Sequence, residues 1–93
     1  MKLDGPIDAT RVNAWWPERA SLFADPHLDL QAVTTVDSSG LAFLVHWAKA
    51  CRATGQALCL QGAPRQLRGM LALYAVEPLF ELAPTPSENG NNN

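Results

Sequence analysis

Apolar and polar positions along this chain fall into short blocks whose period keeps changing, and the blocks read as strands and helices in turn. Leu3 to Ile7 reads as a short strand disturbed by Gly5-Pro6. Asp8 and Thr10 both suit a helix N-cap. From Arg11 to Phe23 the apolar positions are Val12, Trp15, Trp16, Ala20 and Phe23. Pro17 interrupts them, and proline is tolerated best in the first turn of a helix. The pattern therefore predicts a turn near Thr10 and a helix starting close to Pro17, ended by Asp25-Pro26. Leu28-Asp29-Leu30 reads as a strand, and Ala32 to Asp37 as a loop. The clearest helix runs from Ser39 to Thr54, with Gly55 as its C-terminal cap. Ala57-Leu58-Cys59-Leu60 is a short apolar run of the buried-strand kind. Gly62-Ala63-Pro64 opens another helix, with Leu67, Met70, Leu71 and Tyr74 on one face, and Glu77-Pro78 breaks it. Leu79 to Leu82 reads as a last strand, and the polar run from Pro84 to Asn93 as a disordered tail.

Strands alternating with helices imply parallel pairing through right-handed crossovers, with helices covering a small, mostly parallel sheet. The fold class expected is α/β, as one domain over residues 1–83 followed by the tail 84–93, with no internal repeat. Leu41, Leu44, Val45, Ala48, Leu58, Leu60, Leu67, Leu71 and Tyr74 are expected in the core.

Composition narrows the function. At 93 residues with 47 % apolar and 17 % charged positions, the chain has the make-up of one globular domain. A net charge of −2 and the lack of a basic run argue against a surface that tracks phosphates. No apolar stretch approaches the roughly 20 residues that span a bilayer, and no apolar segment of signal-peptide type follows Lys2. A cytoplasmic location is expected. Cys51 and Cys59 lack metal-type spacing and sit in apolar segments, so they read as free buried thiols. His27 and His46 are the only histidines, without a Ser/His/Asp spacing, a phosphate loop or a metal cluster beside them. An enzyme is not expected, nor is a cofactor or a metal.

The central helix has two faces. Leu41, Leu44, Val45, Ala48 and Cys51 follow the i, i+3, i+4, i+7 pattern of a core stripe. The opposite side carries Ser39, Phe43, His46, Trp47 and Ala50 where a surface helix would place Lys and Glu. One reading covers that side by the aromatic segment Trp15–Phe23 or by a second copy of the helix. The other makes it a partner-binding strip, since exposed aromatics concentrate at interfaces. At the start of the helix, Asp37, Ser38 and Ser39 meet unpaired N–H groups and the positive end of the dipole. One serine is expected to cap the helix, and a phosphoryl group on Ser38 would be favourably placed.

The segment Leu28-Asp29-Leu30-Gln31-Ala32-Val33-Thr34-Thr35-Val36-Asp37-Ser38-Ser39-Gly40-Leu41 closely resembles the signature of STAS domains: a strand with an Asp, a short loop, Asp, Ser or Thr, Ser or Gly, and Gly, then a helix with an apolar start. The resemblance extends from Leu3 to about Leu82. Within that family, Leu41–Trp47, Leu58–Gly62 and Leu71–Val76 look most like the MlaB-type subunits of phospholipid-transporting ABC complexes. The resemblance implies a STAS fold and docking on a cytoplasmic, MlaF-like ABC ATPase. It also implies a location at the inner membrane only through that complex. It carries Ser38 over as a contact residue, and with the second face of the central helix the expected contact set is Ser38, Ser39, Phe43, His46 and Trp47; Pro64, Arg65 and Arg68 either flank it or form a solvated face. The other large STAS group, the anti-sigma-factor antagonists, is phosphorylated at the serine matching Ser38, which makes Ser38 a candidate phosphosite. STAS domains usually carry a further strand before the one at Leu3, so the resemblance implies either a start called late or a sheet reduced by that strand.

Overall fold

A computed structural model describes residues 1–83. The disordered tail expected from Pro84 onward lies outside the described residues. The elements are β1 (Lys2–Ile7), α1 (Ala9–Trp15), a 3-10 turn (Trp16–Glu18), α2 (Arg19–Leu22), β2 (His27–Val36), α3 (Ser38–Ala53), β3 (Leu58–Gln61), α4 (Arg65–Leu73), a second 3-10 turn (Glu77–Leu79) and β4 (Phe80–Ala83). The four strands form one all-parallel sheet in the order β1-β2-β3-β4. When parallel strands follow one another in sequence order, crossovers of one hand put every helix on the same face. Burial agrees with that rule. Leu28, Leu30, Val33 and Val36 of β2 point into the core, while Gln31, Ala32, Thr34 and Thr35 are exposed. The domain is thus two layers, helices over sheet, with Leu3, Ile7, Leu44, Leu58, Leu60, Leu67 and Leu71 among the buried residues between them.

Three expectations change. Ala32 to Val36 is not a loop but the second half of β2. Register irregularities between β1 and β2 break the period-two alternation there, so the run does not look like a strand. The helix after β1 begins at Ala9, capped by the Asp8 side chain accepting from the Arg11 N–H. Pro17 falls in the 3-10 turn that ends it rather than at the start of a new helix. Tyr74 is not core: it is the C-cap of α4 and 56 % exposed. Beyond it the backbone closes in a Schellman motif, Ala75 N–H to Ala72 O and Val76 N–H to Leu71 O. Ala75 takes the left-handed conformation there, at φ 56°.

β1 is an edge strand. Its outward carbonyls at Asp4 and Pro6 both accept hydrogen bonds from the Arg11 guanidinium, which also stacks over the Trp15 ring at 4.6 Å. The carbonyls that an added strand would need there are already satisfied.

Candidate functional site

A parallel sheet puts the start of each crossover helix at the carboxyl edge of its strands, where sites in such folds collect. Here that edge brings together the β2–α3 junction and the start of α4. Asp37 follows β2 as the N-cap of α3 and binds on both sides. Its Oδ1 accepts from the Gly40 N–H at 2.8 Å, and its Oδ2 accepts from the Ala9 N–H at 3.3 Å. Neither serine is therefore the cap, contrary to the sequence expectation. Aspartate fills the role one residue earlier, with extended backbone at φ −97°. Ser38 is left exposed and Ser39 half-buried in the first turn of α3. Neither hydroxyl makes a hydrogen bond among the described residues, so the site presents two uncommitted hydroxyls at the positive end of a 16-residue helix.

Gly40 explains how α3 starts so close to the sheet. A Cβ at this position would overlap the Ile7 carbonyl oxygen and lie 2.9 Å from Ile7 Cγ2. The same carbonyl accepts from the Asp37 N–H at 3.2 Å. Only glycine permits this approach of α3 to the end of β1.

Gln66 is a site residue that sequence reasoning missed. Its Oε1 accepts from the Val36 N–H at 3.0 Å, tying the first turn of α4 to the strand end two residues before Ser38. Arg65 precedes it, and Arg68 stands one turn further on; both are exposed. Among the expected contact residues, Ser38, Ser39, Arg65 and Arg68 therefore share one end of the molecule.

Phe43 and Trp47 do not join them, which corrects the expectation of an exposed strip. Phe43 is 1 % exposed and Trp47 0 %. The segment from Trp15 to Phe23 folds over them. Trp15 stacks on Phe43 with ring centroids 5.7 Å apart, and Phe23 lies 5.4 Å from Phe43 and 5.3 Å from Trp47. Trp47 Nε1 donates to the Asp25 carbonyl at 2.8 Å, which satisfies its one polar group. Burying two large aromatics outweighs leaving them wet in a domain this small. His46 remains exposed, its ring against the edge of Trp16 at 5.6 Å. It lies two turns along α3 from Ser38, about 12 Å at 1.5 Å per residue. A shallow groove of about 480 Å³ beside it is lined by Trp16, Arg19, Ala20, Phe23 and Ala50 among others.

Catalytic chemistry has little to work with here. Burial pushes the thiols of Cys51 and Cys59 up, Cys51 further so by the charge of Asp25 and Cys59 by that of Glu81, so neither is an activated nucleophile. Among the described residues no group of three His, Cys, Asp or Glu side chains is arranged to hold a metal. The site is a surface with hydroxyls and cations, suited to contact.

The family described as "Mlab, STAS domain" matches residues 1–81. The chain belongs to the STAS family. The fold matches the solved structure of the anti-sigma factor antagonist SpoIIAA in its unphosphorylated form, at a TM-score of 0.69 and 14 % identity over 96 % of this chain and 81 % of that one. At that identity the likeness is one of fold. No curated protein matches the chain in sequence. No helix among the described residues is long and apolar enough to cross a membrane.

Proposed function

We propose that this chain is the STAS subunit of a phospholipid-transporting ABC complex that maintains outer-membrane lipid asymmetry. It docks on the cytoplasmic, MlaF-like ATPase and supports its assembly and activity. It lies in the cytoplasm and reaches the inner membrane through that complex. The observation that carries this reading is the match over residues 1–81 to a family described by its MlaB-type members. The site adds physical support. Ser38 and Ser39 do not cap their own helix, because Asp37 does, and so their hydroxyls are available to a partner.

The test is direct binding to the ABC ATPase encoded nearest the gene, measured on the purified proteins. Ser38→Asp probes the contact. A carboxylate at a helix N-terminus is favourable, so folding survives, while charge in a contact made for a hydroxyl weakens binding. Absence of binding to the ATPase would sink the proposal.

A second reading is favoured by the likeness to SpoIIAA: an anti-sigma-factor antagonist switched by phosphorylation of Ser38. An exposed serine at a helix N-terminus suits a phosphoryl group. Tight binding to a serine-kinase anti-sigma factor, with none to the ATPase, selects this reading instead.

A further inference from the structure

Leu73 and Tyr74 are the most exposed large apolar residues among the described residues, at 77 % and 56 %. They end α4, whose other exposed positions include Arg65, Arg68 and Ala72. α4 contains no acidic residue, and its N-cap is Pro64, which makes no side-chain cap hydrogen bond. Arg65 opens the helix and Arg68 follows one turn later, so both cations stand near the positive end of the dipole, where acids are favoured. Neither makes an ion pair among the described residues. The isolated fold therefore carries two features that cost it stability or solubility on one helix: misplaced cations at one end and a bare leucine at the other. Both become favourable against a partner that supplies negative charge and apolar cover. Leu73 lies about 12 Å along the axis from Arg65, so one partner helix laid beside α4 meets both within two turns. Gln66 holds the start of α4 against the strand end that leads into Ser38, which makes this face continuous with the site above.

We infer that the outer face of α4, from Arg65 to Leu73 with Arg68 along its edge, is a docking surface for an acidic helix of the partner ATPase that carries an apolar anchor. This rests on the ATPase reading of the chain and names the surface and the chemistry of its partner. Charge complementarity steers the encounter and weakens with salt. The exposed leucine supplies the anchor.

Affinity for the ATPase is measured by titration calorimetry for the wild type, for Arg65→Glu/Arg68→Glu and for Leu73→Ser, with thermal melting on each. Each variant is expected to lose at least about tenfold in affinity. Neither is expected to melt below the wild type, and the charge reversal is expected to melt higher because it puts acids at a helix N-terminus. Wild-type affinity falls as salt rises, and reversing an acid on the contacting ATPase helix restores binding to Arg65→Glu/Arg68→Glu. Stable variants that bind like the wild type overturn this surface while the ATPase reading stands. A wild-type chain that does not bind the ATPase overturns both. A wild-type dimer that Leu73→Ser splits assigns the face to a second copy and also overturns the inference.

Discussion

Replacing Gly40 by Ala tests the packing that positions the candidate site. Alanine elsewhere in a helix would gain about 1 kcal/mol over glycine. Here the added methyl meets backbone. It would overlap the Ile7 carbonyl oxygen, with the carbonyl carbon 3.1 Å away. Ile7 is fully buried and its strand is paired with β2, so the obstacle cannot swing aside as a side chain would. The first turn of α3 has to lift instead. Lifting it strains the Asp37 N–H bond to Ile7 O and the second Asp37 contact, to the Ala9 N–H. Overpacking of this kind costs about 1–3 kcal/mol, and a lost backbone bond about 1 kcal/mol. After the propensity gain, the expected net loss is about 1–3 kcal/mol, or roughly 5–20 °C in melting temperature for a domain this size. Gly69 is the internal control. It sits exposed in α4, and nothing lies within 4 Å of the Cβ it would gain. Gly69→Ala should raise stability by about 0.5–1 kcal/mol. Both variants are measured by circular-dichroism melting and urea titration. A Gly40→Ala protein that melts with or above the wild type would refute the close approach of α3 to β1, and with it the placement of Ser38.

Two further substitutions examine the core and a turn. Trp47→Ala empties a fully buried site and orphans the Asp25 carbonyl, so a loss of about 3–5 kcal/mol is expected in the isolated domain by urea titration; an unchanged midpoint would mean the indole is exposed in solution. Ala75→Gly relieves a left-handed conformation that costs an L-residue about 1–2 kcal/mol, part of which is offset by the freer unfolded chain. A gain of about 0.5–1 kcal/mol is expected, and a loss would exclude the Schellman geometry at the end of α4.

Where local chemistry decided the structure, it could be read. α3 has a 3.6-residue apolar period between an Asp and a Gly, and both ends fall within one residue of the expectation. The Asp-Ser-Ser-Gly run does open that helix, though the cap moved from serine to Asp37. Failures came where distant segments decide. Val33 and Val36 are buried three residues apart because β1 and β2 slip in register, and no alternation survives to signal a strand. Phe43 and Trp47 lie on the side of α3 away from its core stripe, and only the folding back of Trp15 and Phe23 turns that side into an interior. The aromatics on both segments were the available clue, but they fit an external partner equally well. Gln66 acts on Val36 across 30 positions, and an isolated glutamine in a helix gives no hint of that.

The aromatic layer over α3 has a consequence for synthesis. Trp15, Trp16 and Phe23 leave the ribosome before Phe43 and Trp47, the side chains they cover. β1 gains no relief either, because its neighbour in the sheet is parallel and must wait for the whole crossover. During that interval the nascent chain carries bare indoles and an unpaired strand, the kind of species that self-associates. Translation pauses between Phe23 and Trp47 should therefore lower the soluble yield, while the molecules that do fold keep their full stability.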